Sequence, residues 1–235
     1  MKKDHYHLIV EKTKKLYDGF RDDPKIISSW SPLEPNIIDY HCRQLECFGE
    51  LLKNLQLSSF KVLDFGCGSG RLIRDLIEFG VKTDSIKGLE IEQKLIDLAY
   101  SFLPINIYHK FNGIEIPFSD STFDMVCQST VFSSIADDDF QHHLAQELLR
   151  VTKAGGYILW WDKISTTDFA DQKPLKLNSL FKYQNIKKIK IGRKNLPSQN
   201  IRKLKGLGTI IGKIADFLLY FRASHVAALI GPIKR

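Results

Sequence analysis

Three glycines, Gly66, Gly68 and Gly70, alternate in the stretch VLDFGCGSGRL, directly behind an apolar run that contains Asp64. Glycine has no Cβ, so a run of this kind lets the chain turn sharply and lets a ligand reach main-chain N–H groups. Where such a turn joins a strand to a helix, the helix N-terminus adds further unpaired donors and the whole becomes a cradle. Spacing limits what it cradles. A dinucleotide fingerprint needs its third glycine at position 71, which is Arg71, and a phosphate loop needs a Lys-Ser or Lys-Thr pair that does not follow. A carboxylate, Glu90, closes the next apolar run 20 residues after Gly70. There it can accept the hydroxyls of a ribose lying over the first turn.

The other reactive side chains add no second chemistry. Cys42, Cys47, Cys67 and Cys127 show no CxxC pairing, and no histidine cluster stands at ligand spacing, so the expectation is a reduced protein without a metal site. Cys127 sits inside an apolar run and reads as a buried thiol. His109, His142, His143 and His225 read as surface or packing residues. Gln128, at the end of the run FDMVCQ, is the better candidate for lining a site, with Asp162 behind it.

Elements must hold these residues in place, and the apolar pattern supplies them. Strands are predicted at Phe60–Phe65, Ile86–Glu90, Ile105–His109, Phe123–Gln128 and Tyr157–Trp161, with helices at Gly70–Phe79, Glu92–Phe102 and Asp138–Val151 between them. The acidic run 137–139 can cap the last of these helices. Alternating strands and helices predict parallel pairing through right-handed crossovers. Helices are also expected at His5–Tyr17, Asn36–Leu55 and Leu175–Phe181, and strands at Asn185–Ile191 and Ser224–Ile230. The alternation in NIKKIKI suits a sheet edge with one wet face.

Together the turn, the acid and the element order resemble the class I S-adenosylmethionine-dependent methyltransferases, of the small-molecule type similar to methyltransferase domain 11. The resemblance runs from about Phe60 to Asp162. It includes NGIEIPFSDSTFDMVCQSTVFSSI, similar to the family's segment leading into its fourth strand, and ELLRVTKAGGYILWWD, similar to its fifth-strand block. Two residues depart from the pattern: Asn112 stands where an aspartate is usual, and Ala154 where a proline is usual. Gly155 and Gly156 are expected to end the helix and turn the chain.

The resemblance implies a Rossmann-like, doubly wound α/β fold: a seven-stranded sheet, mostly parallel, with one antiparallel strand near the C-terminus and helices on both faces. It implies residues 1–56 as an N-terminal helical cap, 57–172 as the cofactor-binding core, and 173–235 as the last strands of the same sheet with a basic amphipathic insertion. It implies S-adenosyl-L-methionine as cofactor, held by Asp64, Gly66, Cys67, Gly68, Gly70, Glu90, Ile91, Asn112, Gly113, Ile114 and Gln128. Tyr17, Trp30 and Arg43 are candidates for closing over it. No catalytic base is assigned.

Charge and missing motifs narrow the acceptor. Residues 173–235 hold 15 Lys and Arg against one acid, Asp216, whereas residues 1–172 hold 19 bases against 26 acids. Such a split points to an anionic partner or to a solvated lysine-rich surface. The family's Asn/Asp-Pro-Pro-Tyr/Phe motif for amino-group acceptors would fall at 128–131, which reads QSTV. The expected reaction is therefore methyl transfer to a small molecule, anionic through a phosphate or carboxylate and attacked through oxygen, less often through nitrogen or carbon, such as a glycan or lipid precursor. An RNA acceptor and a non-catalytic cofactor-binding protein are the alternatives. The apolar positions of the segment Asn200–Phe221 fit one helical stripe that could cap the pocket or rest on anionic lipid. No signal peptide or spanning segment is read, and the cytoplasm is the expected location.

Overall fold

In chain order the elements are α1 (Lys2–Asp22), α2 (Pro35–Leu52), β1 (Val62–Phe65), α3 (Arg71–Glu78), β2 (Ile86–Glu90), α4 (Gln93–Phe102), β3 (Tyr108–Lys110), β4 (Phe123–Ser129), α5 (Asp138–Val151), β5 (Thr152–Lys163), α6 (Leu177–Leu180), β6 (Ile186–Gly192) and β7 (Ala223–Ile230). The structure, a computed structural model, describes residues 2–22, 35–164, 175–192 and 223–234. The segment Asn200–Phe221 and Trp30 lie outside the described residues, as does the side chain of Tyr17. Among the described residues no helix is long and apolar enough to cross a membrane.

The strands form one seven-stranded sheet in the order β3-β2-β1-β4-β5-β7-β6. From β3 through β5 all pairs are parallel, and β7 runs antiparallel to both β5 and β6. The chain works outward from β1 to β3, then returns to the other side of β1 as β4. The order therefore reverses between β1 and β4, and a crevice opens beyond their carboxyl ends.

Both faces are covered, which explains why β1 is apolar without alternation: Val62, Leu63, Asp64 and Phe65 are all buried. Leu63 and Phe65 join Tyr6 and Val10 of α1, Phe140, Leu144 and Leu148 of α5 and Phe181 in one core layer. Val62 joins Phe48 and Leu51 of α2 and Ile73 and Leu76 of α3 in the other. The period of two recurs in β5, where Trp160 enters the first layer and Trp161 the second. β6 forms the sheet's edge, as its alternation implied.

Helix α5 begins where the acidic run predicts: the Asp137 side chain accepts from Phe140 N at 2.7 Å, and Asp138 and Asp139 occupy the first turn. It ends at Val151, as predicted, but the glycines are not what ends it. The helix closes on Thr152, whose Oγ1 donates to the Leu148 carbonyl at 2.7 Å, before the glycines are reached. Gly155 and Gly156 instead lie within β5, where the pairing jumps from Phe123↔Thr152 to Met125↔Tyr157. Gly155 is left-handed at φ +79, and a Cβ on Gly156 would stand 2.7 Å from the Asp124 carbonyl oxygen. Their backbones hold the C-terminal segment, Gly155 N donating to Ile233 O at 3.0 Å and Ile233 N to Gly156 O at 2.9 Å. Close backbone approach in a bulge, rather than helix termination, is what these glycines permit. Strand β3 is shorter than predicted and displaced toward Lys110.

The long connection from β3 to β4 is fastened to α5 by one side chain. Arg150 grips Glu147 through Nε at 2.7 Å and Nη2 at 2.8 Å, and donates to the carbonyls of Phe118 at 2.8 Å and Ile116 at 2.9 Å and to Asp120 at 2.9 Å. Glu147 also accepts from Ile116 N at 2.8 Å. Removing a charged group that satisfies several partly buried partners costs about 2–3 kcal/mol. Arg150→Ala is expected to lower stability by that amount in urea titrations. Arg150→Lys should recover less than half of the loss, because an ammonium cannot reproduce the planar fork.

Candidate functional site

The turn after β1 takes the form that the three glycines allow. Gly66, Gly68 and Gly70 are all left-handed, at φ +72, +53 and +72. Gly66 N and Cys67 N donate to the Leu89 carbonyl at 2.8 and 2.9 Å, so the turn is stitched to the end of β2. The glycines differ in what surrounds them. A Cβ on Gly66 would lie 2.5 Å from Val131 Cγ2, and one on Gly70 would lie 3.0 Å from the Tyr108 hydroxyl. Among the described residues, its chain neighbours aside, nothing stands within 4 Å of a Cβ on Gly68. Gly66 and Gly70 thus serve internal packing, and Gly68 faces open space.

Glu90 fixes the position of that open face. Its Oε2 accepts from Gly68 N at 2.9 Å, while Oε1 accepts from Ile91 N at 2.7 Å and Glu92 N at 3.1 Å. The carboxylate is 6% exposed. It therefore pins the turn as well as facing outward, a bridging duty that the strand-end position alone did not reveal. Asp64 is 1% exposed, and its Oδ2 has no hydrogen-bond partner. Burial first, then the neighbouring carboxylates of Glu90 and Asp75, push Asp64 up to about 8. Burial, together with Asp64 and Glu90, also pushes the Cys67 thiol up, so it stays protonated and unreactive.

These residues open on a cavity of about 650 Å³ beyond the carboxyl ends of β1, β2 and β4. Of the predicted site residues, Asp64, Gly66, Cys67, Gly68, Glu90, Ile91 and Gly113 line it. Four do not. Gly70 supports helix packing, as described above. Asn112 is exposed, and its Oδ1 accepts from Ile114 N at 2.8 Å and Glu115 N at 3.0 Å, so the oxygen expected to meet a base amine already shapes the loop that presents Gly113. Ile114 is buried in the core below that loop. Gln128 is 0% exposed, its Nε2 donating to Trp161 O at 3.3 Å and its Oε1 accepting from Val131 N at 3.1 Å.

Gln128 and Asp162 both act on the loop that follows β4. Asp162 Oδ2 accepts from Phe132 N at 3.0 Å and Ser133 N at 3.3 Å, and burial raises this carboxyl to about 6 against those bonds. Between these two anchors Thr130 is held at φ +60, a conformation that a β-branched residue rarely adopts. Its N–H donates to Trp161 O at 2.8 Å. Ser129, Thr130, Val131 and Ser134 of this loop line the cavity. Strain of this kind persists only where the surroundings over-determine it.

The cover comes from the N-terminal helices through residues that the sequence did not single out. Val10 and Thr13 of α1 and Gln44 of α2 line the cavity. Val10 sits over Gly113, its methyls 3.0 Å from the position of a Cβ there. Tyr6, one turn earlier, stacks on Phe140 and His143 at 4.6 and 5.1 Å. On the other side His41 Nε2 meets both oxygens of Asp75 at 2.9 and 3.0 Å, and Gln44 Nε2 donates to Ser129 Oγ at 3.0 Å. A polar residue inside the apolar stripe Tyr40–Cys47–Phe48–Leu51 was the available signal for Gln44. Arg43 is half-buried and does not line the cavity, and no histidine does.

The features present fit an adenosyl cofactor with an amino-acid tail. Glycine backbone faces open space, a carboxylate stands beside it, and the apolar residues Ile91, Leu95, Phe65 and Phe111 form walls. Comparison with known proteins points the same way. The methyltransferase domain family matches residues 63–160. A sterol 4-C-methyltransferase of Caenorhabditis elegans is 29% identical over 140 residues, covering 58% of this chain and 39% of that protein. A demethylmenaquinone methyltransferase of Bacillus licheniformis is 31% identical over 101 residues, covering 41% and 42%. The chain thus spans about two fifths of the length of these curated relatives. An S-adenosylmethionine-dependent methyltransferase structure from Mesorhizobium loti superposes with a TM-score of 0.54 over 75% of this chain and 93% of that one, at 13% identity.

The raised Asp64 makes stability depend on pH. Between its ordinary 3.8 and about 8 the folded protein holds a proton that the unfolded chain has released. Unfolding then releases a proton, so stability falls as pH rises through that window and levels off above it. Asp162 contributes only below about 6. Urea midpoints of the ligand-free protein are expected to fall between pH 6.5 and 8, and Asp64→Asn should flatten this slope.

Proposed function

From a chain that belongs to the class I S-adenosylmethionine-dependent methyltransferases, we propose an enzyme that transfers the cofactor's methyl group to a small acceptor with an apolar body and an anionic group, attacked through oxygen. The observation that carries the reading is the left-handed turn at Gly68 held by Glu90 at the mouth of a 650 Å³ cavity. A bound sulfonium supplies a methyl already activated for displacement. The protein's task is then to align an acceptor lone pair and keep water out, an effect worth roughly 7–11 kcal/mol.

The assignment of roles follows the cavity's two ends. Gly66, Gly68, Glu90, Ile91 and Gly113 hold the cofactor, with Ile91 and Phe111 against its base. At the other end Gln44, Ser129, Thr130 and Ser134 present hydroxyl and amide groups suited to orienting an acceptor hydroxyl. Phe140, Leu144 and Ile135 supply apolar wall there. The names of the two curated relatives, a sterol and a demethylmenaquinone methyltransferase, agree with an apolar acceptor body. The anionic group is supported by the 15 Lys and Arg against one acid in residues 173–235. In this reading residues 1–56 form the cap, 57–172 the cofactor core, and 173–235 complete the sheet.

Binding and turnover test this directly. Purified protein should bind S-adenosylmethionine and S-adenosylhomocysteine in calorimetry, and should label amphipathic hydroxy acids from methyl-labelled cofactor faster than their neutral esters. Absence of heat with both adenosyl compounds would refute the reading. Gly68→Ala places a methyl in the open space facing the cavity. It is expected to cost about 1 kcal/mol of stability from left-handed strain yet weaken cofactor binding at least tenfold. Gly66→Ala, which meets Val131, should lose more stability than Gly68→Ala.

A further inference from the structure

We propose that Arg71 is the anion-binding residue of the cavity, its guanidinium receiving a carboxylate-class group of the bound ligand in the space that Gln44 also lines. The inference rests on the methyltransferase reading above and names a residue which neither the glycine turn nor the family resemblance assigns.

Among the described residues two arginines reach the cavity and no lysine does. Arg74 is already engaged, donating from Nη1 to the Ser69 carbonyl at 2.8 Å and lying 4.8 Å over the Phe102 ring. Arg71 is half-buried and, among the described residues, makes neither a hydrogen bond nor an ion pair. It occupies the first position of α3, behind Gly70, with no acid in that first turn. A cation at a helix N-terminus opposes the helix dipole, so local structure does not favour it there. Helix α5 shows the ordinary arrangement, with Asp138 and Asp139 at its start and Arg150 at its end. A residue that violates the local rule while facing a cavity is a candidate for ligand contact.

The neighbours suit an anion. Tyr40 and Gln44 lie one turn apart on α2, on the face turned to the sheet, where Tyr40 accepts from Trp161 Nε1 and Gln44 reaches Ser129. Burial raises the Tyr40 phenol to about 12, and the charge of Arg71 opposes that rise, which places the guanidinium within electrostatic reach of the hydroxyl. The phenol remains neutral at any working pH. A planar guanidinium in a cavity also lined by Gln44, Ser129 and Thr130 matches carboxylate chemistry.

A carboxylate of this class can come from the amino-acid tail of the cofactor or from the acceptor, and three probes separate the sources. S-adenosylhomocysteine carries the carboxylate, 5′-methylthioadenosine keeps the adenosyl thioether but lacks the whole amino-acid tail, and decanoate with its methyl ester stands for an apolar acceptor acid. All are titrated calorimetrically into wild-type protein and Arg71→Gln, the decanoate pair in the presence of saturating S-adenosylhomocysteine. If the cofactor tail is the source, Arg71→Gln weakens S-adenosylhomocysteine at least tenfold and 5′-methylthioadenosine less than twofold. If the acceptor is the source, both nucleosides bind as before, while the preference for decanoate over its ester disappears. In either case Arg71→Lys should give an intermediate loss. Equal weakening of both nucleosides, or no change with any probe, overturns the proposal while leaving the methyltransferase reading standing. Failure of the wild-type protein to bind either nucleoside overturns that reading and this one together.

Discussion

The contact between Glu90 and the backbone of Gly68 is the constraint on which the site depends. One carboxylate, at the end of the second strand, spans the gap to the turn leaving the first and also seizes the two N–H groups that begin its own exit. Strand-end loops are usually the least determined parts of a parallel sheet. Here the loop inherits the rigidity of the strands because a charged hydrogen bond joins two of them across the crevice. The left-handed turn, the direction of α3 and the open face of Gly68 all follow from it.

A second loop is held in a comparable way by different means. Beyond β4 the chain is anchored from below by Gln128, from the neighbouring strand by Asp162, and from α2 by Gln44 through Ser129. Three buried polar side chains, each satisfied by backbone or hydroxyl partners, keep Thr130 in a left-handed conformation that it would otherwise leave. Such an arrangement gives up some stability to hold hydroxyl groups in fixed positions. The catalytic demand on a displacement at a methyl group is alignment, so rigidity of this loop suits the proposed reaction.

How much of this could be read in advance depended on whether a residue answers to its own chain position or to its neighbours in space. The strand that ends in Glu90, the helix opened by Asp137 and the lysine-bearing edge strand were legible, because periodicity and capping are local. The glycine turn was legible for the same reason. Gln128 and Asn112 were assigned outward-facing duties, yet each spends its amide on nearby main chain, a choice that composition does not express. Gly155 and Gly156 looked like a helix stop, but a pairing jump against β4 and the return of Ile233 give them a different purpose. The covering residues Val10, Thr13 and Gln44 come from helices far away in sequence, and only the folded arrangement brings them over the cavity. The segment Asn200–Phe221, read as a basic amphipathic helix, lies outside the described residues.

The paired tryptophans of β5 have an optical consequence. Trp160 and Trp161 point into opposite layers, and both are withdrawn from solvent. Trp161 is bonded to Tyr40 on the covering helix and stacked on His225, whereas Trp160 rests among Phe132 and Phe181. Each indole therefore reports on a different layer, Trp161 on the side of α2 and Trp160 on the side of α1 and the loop after β4. The molecule thus carries two adjacent optical probes, one for each face of its sheet.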